Sequence, residues 1–384
     1  MEFPVHPEAL TAAWLTDRLR ESGAIDKAAV QSFRCAPVDP HNGMTGVLMR
    51  LRLSYDFAEP AAPATLVAKF SLPEPEVRAM VHAMGFFERE VLFYSEFAAD
   101  VPVAVPRCYF AGIDHDAGWS LLLLEDLAPA RNGSRVLGSS LEELRVAVAA
   151  IAAMHAAWWQ SPRLNTASQL TMTSLLAVGE MQEVVARCWE PFLARLSVPV
   201  TPAITEAGEL VSHHLHRVVT YLLKTPPLTL IHYDFHGDNL FFPVVDDQLA
   251  VVVCDWQLTT RAHAAVDVGW LIGGQCEPED RRRYEVDLVQ MYHGLLVEQG
   301  VSNYGFDQCW DDYRLSMLLA VGRTSGAVGL QPLGPRGGSW DKIVPRYCQA
   351  VSDLGVADLL TTMSLDRPTS GLDRAEHAVA DGGG

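Results

Sequence analysis

The chain has 384 residues, carries 29 Lys plus Arg against 47 Asp plus Glu for a net charge of −18, and is 49% hydrophobic and 20% charged. That composition fits a folded chain long enough for two lobes with separate cores and excludes global disorder. The acidic balance argues against a nucleic-acid partner and suits neutral or cationic ligands.

The start, MEFPVHPEAL, lacks a basic segment followed by an apolar run, and no stretch approaches the ~20 apolar residues that cross a bilayer. A cytoplasmic protein without a membrane partner is therefore expected. Cysteines at 35, 108, 188, 254, 276, 309 and 348 form no C-x-x-C pair, which argues against a disulfide framework and a structural zinc site.

Residues 47–55, VLMRLRLSY, alternate: Val47, Met49, Leu51, Leu53 and Tyr55 share one side, and Arg50, Arg52 and Ser54 the other. This is the pattern of a half-buried strand. A Pro/Ala-rich turn over 59–64 leads into TLVAKFSL, a second strand, and the two are expected to pair as a hairpin. From Glu76 to Phe97 there is no Pro, and Val77, Met80, Val81, Met84, Phe87, Val91 and Tyr94 recur at helical spacing, predicting one amphipathic helix. Pro102 and Pro106 exclude helix from the next stretch, where two β-rich runs flank an Asp/Gly turn.

Past Asp126, the polar stretch 128–138 reads as a connector, and Ser140 with Glu143 has the spacing of a capping box. The helix it opens carries Leu141, Leu144, Val148, Ile151, His155 and Trp158 on one face, with His155, Trp158 and Trp159 read as core packing. Further helices are expected over 203–223 and most of 281–328. The expected fold class is α+β and bilobal: a small antiparallel β-rich lobe with one helix (1–126), a larger mainly helical lobe (127–362), and a frayed tail (363–384).

The chemistry concentrates in residues 232–239, HYDFHGDN, and in Asp255, which follows the apolar run LAVVVC. Phosphoryl transfer asks the protein for positioning and charge neutralisation. One carboxylate must stay free to orient the attacking hydroxyl and accept its proton, which fits Asp234. Oxygen ligands must hold a divalent cation, which fits Asn239 and Asp255. A Lys must neutralise nucleotide phosphates, and a Glu must hold that Lys. Lys69 ends the run Leu66-Val67-Ala68, where a charge is unwelcome unless it faces a cleft, and Glu90 lies on the following helix. Glu88 competes with Glu90 for this part. Gly43-Met44-Thr45-Gly46 is a small-residue turn where backbone amides approach phosphate.

The order of Gly turn, Lys69, Glu90, LLLEDL (122–127), HYDFHGDN and VCDWQ resembles the aminoglycoside phosphotransferase and choline kinase group of the protein-kinase-like fold. EREVLFY, LLLEDL, IAAMHAAWW and DDYR are most similar to its ecdysteroid-kinase-like branch. The resemblance spans roughly 40–330. It implies Asp234 as catalytic base, Asn239 and Asp255 as Mg2+ ligands, Lys69 with Glu90 as the anchor for ATP phosphates, and Leu124, Glu125, Asp126 and Leu127 as the hinge that meets adenine. It also implies that His232 orients its loop without transferring protons, and that Asp267 anchors the loop after the metal site.

The sequence departs from the group's pattern at Tyr233, where Gly is common, at Gly237-Asp238, which replaces Pro-Gly, and over 257–267, which lacks a Gly-Pro. These changes bear on the acceptor. Substrate selection is expected from 158–190 and 281–323, with Tyr284, Tyr292, Trp310 and Tyr313, and from the surroundings of Tyr233 and Gly237. The acceptor is expected to be a small-molecule alcohol: net acidity favours an amino alcohol, and the branch resemblance a bulky neutral one. Two alternatives stand beside this reading, a catalytically inactive nucleotide-binding scaffold and a hydrolase using His232, Asp234 and His236 as transition-metal ligands.

Overall fold

The computed structural model describes residues 3–38, 46–167, 170, 178–329 and 338–363. Gly43, Met44, Thr45 and the tail from 364 onward lie outside the described residues.

The first part is a five-stranded antiparallel sheet. In chain order its strands are β1 (Val30–Pro37), β2 (Gly46–Tyr55), β3 (Thr65–Ser71), β4 (Cys108–Asp114) and β5 (Trp119–Glu125), with spatial order β1-β2-β3-β5-β4. The expected hairpin is β2 with β3, paired from Gly46 opposite Ser71 to Arg52 opposite Thr65. Strand β5 explains its own unbroken run of leucines. Leu121 and Leu123 join a core with Leu51, Leu66 and Phe70, while Leu122 and Leu124 join the larger helical core. A strand buried on both faces loses the alternation that marks a half-buried one.

Helix α1 (Ala12–Glu21) covers one face of this sheet through Leu15 and Leu19, capped by Thr11. Neither α1 nor β1 was anticipated. Strand β1 is an edge strand with only Val30 buried, so it has no hydrophobic period to read.

The single helix expected over 76–97 is broken. It consists of α2 (Pro75–Ala83), α3 (Phe86–Leu92) and a π turn at Phe93–Phe97. Gly85 sits at φ 68, in the left-handed region, between the first two. The buried Arg89 donates to the Met84 carbonyl at 2.6 Å and supports the break. Val81 of α2 and Phe87 of α3 are buried, whereas Met80, expected on the same face, is half exposed.

The helical part contains α4 (Leu141–Ala157), α5 (Arg163–Thr166), α6 (Val178–Leu193), α7 (Pro202–Lys224), α8 (Ala265–Gln275), α9 (Pro278–Glu298), α10 (Phe306–Gly329), α11 (Trp340–Asp353) and α12 (Val356–Thr362). The capping box of α4 forms as expected, with Ser140 accepting from the Glu143 N–H and Glu143 accepting from the Ser140 N–H. Short strands carry the polar cluster. These are β6 (Arg131–Asn132), β7 (Thr229–Ile231), β8 (Leu240–Phe242), β9 (Val244–Val245), β10 (Gln248–Leu249), β11 (Val252–Val253) and β12 (Thr260–Ala262). Pairing of β8 with β11 sets Leu240 opposite Val253, which brings Asn239 and Asp255 to the same end of one hairpin. Among the described residues, no helix is long and apolar enough to cross a membrane.

Candidate active site

The loop that leaves β7 is fixed by its backbone. The N–H groups of His232 and Tyr233 each donate to the Asp267 carboxylate at 2.7 Å. Tyr233 has φ 66, in the left-handed region that Gly enters without steric cost. For a non-Gly residue the conformation costs about 1–3 kcal/mol, and two charge-assisted hydrogen bonds offset it. Asp267 thus anchors the loop that carries Asp234, and not the segment after Asp255 for which it was expected. His155 Nε2 lies 3.3 Å from Asp267 and its Nδ1 lies 2.7 Å from the Tyr292 hydroxyl, so His155 is more than core packing.

His232 is fully buried, and both ring nitrogens are taken by backbone. Nε2 faces the Cys254 carbonyl at 2.9 Å, and Nδ1 accepts from the Asp234 N–H at 3.2 Å. Burial lowers its pKa against the pull of Asp267 and Asp234, so the ring is neutral and donates through Nε2. With no free nitrogen, His232 has nothing to offer a metal. No group of three or more His, Cys, Asp or Glu among the described residues is placed to hold one. His232 therefore cannot join Asp234 and His236 as the ligand that the hydrolase reading requires.

Asp234 points its two oxygens at different neighbours. Oδ2 faces Asn239 Nδ2 and His236 Nε2, each at 3.3 Å, while Oδ1 faces Arg323 Nη2 at 3.9 Å. Burial works to raise its pKa, but contact with His236 and the charges of Arg323 and Arg135 outweigh it and hold the carboxyl well below its usual range. Asn239 is oriented by its Nδ2, which donates to the Asp234 carbonyl at 3.0 Å and leaves the amide oxygen for other work. Asp238 is turned away. Its carboxylate accepts from the Arg135 N–H at 2.9 Å and pairs with the Arg135 guanidinium at 2.8 Å.

Asp255 follows β11 with φ 64, and the next residue locks it. The Trp256 indole stacks on Phe93 at 3.8 Å and donates to the Val253 carbonyl at 3.1 Å. Asp255 Oδ1 meets Lys69 Nζ at 2.8 Å, and the same nitrogen meets Glu90 at 2.7 Å. Burial works against the Lys69 charge, but the carboxylates of Asp255 and Glu90 prevail and raise its pKa. Burial pushes the Glu90 carboxyl up against the opposing pull of Lys69. Glu88 is engaged by the His82 ring at 2.5 Å, which leaves Glu90 as the partner of Lys69.

Gly46, opposite the end of β3, has no room for a side chain. A Cβ there would stand 2.9 Å from the Phe70 carbonyl oxygen and 3.5 Å from Lys69 side-chain carbons. In the expected hinge, Leu124 is buried, the Glu125 carboxylate accepts from the Arg107 N–H at 3.1 Å, and Arg50 grips Asp126 at 2.8 and 3.1 Å. The Leu127 carbonyl accepts from the Ala130 N–H at 2.8 Å. The two acidic side chains are spent within the protein.

The aromatic residues expected to select the substrate make their contacts among the helices. Tyr292 and Tyr313 are fully buried and bond His155 and Glu285, and Trp310 stacks on Tyr313 at 5.3 Å. Tyr284 faces a small cavity of about 140 Å³ between α4 and α9, together with Leu141 and Arg145. From the end of the expected segment 281–323, Arg323 on α10 comes to Asp234. No motif marked it, because its partners lie at distant positions.

A sheet-bearing part whose Lys and Glu meet a carboxylate from a helical part defines a bilobal protein-kinase-like fold. Residues 40–302 match the model of the ecdysteroid kinase-like family, and the chain belongs to that family. Membership indicates small-molecule phosphotransferase activity. No curated protein matches the chain. Among solved structures, it is similar to a putative aminoglycoside phosphotransferase of Ralstonia eutropha, at 16% identity, TM-score 0.48, and coverage of 89% of this chain and 97% of that one. It is also similar to an ethanolamine kinase of Plasmodium vivax, at 8% identity, TM-score 0.49 and coverage of 86% and 84%. A third is an aminoglycoside phosphotransferase, APH(2″)-IIIa, solved with GDP and kanamycin, at 11% identity, TM-score 0.49 and coverage of 92% and 100%.

Proposed function

We propose that the protein transfers the γ-phosphoryl group of ATP to the hydroxyl of a small-molecule alcohol, with Mg2+ as the metal. The observation that carries this reading is the meeting at Lys69, whose Nζ lies within 2.8 Å of both Glu90 and Asp255 although the three residues come from β3, α3 and the end of the β8–β11 hairpin. A buried ammonium between two carboxylates is a phosphate anchor held in place.

The donor set fits a hard divalent cation. The Asn239 amide oxygen and the Asp255 carboxylate are oxygen ligands, the kind such a cation takes. Bound there, Mg2+ would neutralise phosphate charge. The remaining chemistry belongs to the chain. Lys69 fixes the nucleotide phosphates and Glu90 fixes Lys69. Asp234 accepts a hydrogen bond from the acceptor hydroxyl and sets its oxygen in line with the γ-phosphorus.

As the new O–P bond forms and the bond to the β-phosphate oxygen breaks, ADP leaves and the hydroxyl proton passes to Asp234. A carboxylate with so low a pKa is a weak base toward a resting alcohol. In a loose transition state the proton departs late, so the first task of Asp234 is orientation.

The test is a screen of ATP consumption over alcohols and amino alcohols, run beside nucleotide binding with and without Mg2+. Turnover with at least one acceptor and metal-dependent binding are expected. Absence of nucleotide binding would sink the reading, and binding without turnover by any acceptor would favour the inactive scaffold.

A further inference from the structure

The oxygen of Asp234 turned away from Asn239 faces Arg323. Its Nη2 stands 3.9 Å from Asp234 Oδ1, beyond hydrogen-bond length. The guanidinium is clamped between two rings, 3.7 Å from the centroid of Tyr233 and 4.1 Å from that of Trp270. Stacking occupies the faces of the plane and leaves its edge, where all the N–H groups point.

The side chain is only 9% exposed, yet Nη1 has no hydrogen-bond partner among the described residues, and neither has the Tyr233 hydroxyl or Trp270 Nε1. Arg and Trp nitrogens only donate. Unmatched buried donors are costly, so a cluster of them calls for a ligand that brings acceptors.

We propose that Arg323 is a specificity-determining residue of the acceptor site, and that the acceptor is an alcohol bearing a carboxylate close to its reactive hydroxyl. This rests on the phosphotransferase reading above. A hydroxyl bound to Asp234 Oδ1 lies beside the guanidinium edge, whose planar fork matches two carboxylate oxygens. The same edge repels an ammonium group in that place.

The nearby acid Asp238 is paired with Arg135 and not, among the described residues, with Arg323. The net charge of −18 does not overrule this arrangement, because exposed charges beyond ~8 Å are largely screened while a buried guanidinium is not. Amino alcohols and amino sugars, favoured by bulk charge, are disfavoured by the local one.

The experiment titrates wild type, Arg323→Gln and Arg323→Lys with hydroxycarboxylic acids of increasing size, their primary amides and matched amino alcohols. Binding is read by thermal shift with Mg2+ and AMP-PNP, and turnover by ATP consumption. Acids are expected to bind about 10- to 100-fold better than their amides in wild type. Arg323→Gln is expected to raise the KM for the acid by that factor, leave the KM for ATP in place and erase the acid–amide difference. Arg323→Lys, which keeps the charge and loses the fork, should fall between them.

An AMP-PNP shift equal to wild type shows that a variant is folded, and Arg323→Lys carries the comparison should Arg323→Gln fail that check. An unchanged KM in the folded variants, a preference for amino alcohols, or an equal fall in kcat for every acceptor would overturn the proposal. The last result would place Arg323 on the transferred phosphoryl group. Thermal shift reads acceptor binding without turnover. Failure of every alcohol to consume ATP thus counts against phosphotransfer, while a carboxylate-dependent shift lost in Arg323→Gln still supports the site.

Discussion

Lys69 Nζ and Asp255 Oδ1 stand 2.8 Å apart although 186 positions separate them in the chain. The contact joins the end of β3 to the turn after β11, and Glu90 completes it from α3. Removing the ammonium leaves Glu90 buried beside Asp255 without its counter-charge. Lys69→Met is expected to lower kcat/KM about 10²- to 10³-fold, as loss of a preorganised charge at a developing anion does. Near-equal kcat/KM in a variant with wild-type circular dichroism would remove Lys69 from the phosphate site.

Asp234→Asn keeps the contacts to Asn239 and His236 in shape but cannot take a proton. The expected loss in kcat is about 10²- to 10⁴-fold, with the affinity for nucleotide unchanged. Steady-state kinetics beside calorimetric titration of AMP-PNP separate the two. A parallel loss of nucleotide affinity would assign Asp234 to the nucleotide and not to the acceptor.

Much of this site was legible because its parts sit in short, polar runs between apolar strands. HYDFHGDN and the Asp255 after LAVVVC stand out against their flanks, and Lys69 stands out at the end of an apolar strand. Strand β1 and helix α1 were not legible, because an edge strand with one buried residue carries no period. Gly85 hid its kink, because the apolar spacing in the sequence runs on through it from Val81 to Phe87. Arg323, His155 and Asp238 have roles set by partners that tertiary structure alone brings close, such as the Tyr233 and Trp270 rings on either side of Arg323. No spacing along the chain encodes such a sandwich.

Asp267 holds two consecutive N–H groups with its two oxygens, at 2.7 Å each. An Asn in its place has one oxygen and a donor that meets an N–H head-on. Asp267→Asn is expected to cost about 2–3 kcal/mol of stability, from one lost charge-assisted bond and one buried donor left unpaired. The left-handed Tyr233 then loses its support, so kcat should fall as well, although Asp267 touches no substrate. Urea midpoints and kcat measured on the same preparation test this, and a stability loss with kcat intact would limit Asp267 to folding.

Arg281 is fully buried on α9 and pairs with Glu285 and with Asp353 at the end of α11, while Arg282 reaches Asp353 at 2.7 Å. Burial acts to raise the Asp353 pKa, but hydrogen bonds from Arg282 and Gln349 and the charge of Arg281 outweigh it and set it below the ordinary value of 3.8. A depressed folded pKa means the stabilisation is complete above the unfolded value and is lost as pH falls through the folded one. Asp353→Asn leaves Arg281 one carboxylate short, and its expected cost at pH 7 is about 1–2 kcal/mol. That is less than for breaking a fully buried pair, because Glu285 remains and Asp353 is partly exposed. The gap between wild-type and variant urea midpoints should hold from pH 7 down to about pH 5 and shrink below about pH 4. A gap that stays constant to pH 3 would show that packing, and not charge, makes Asp353 matter.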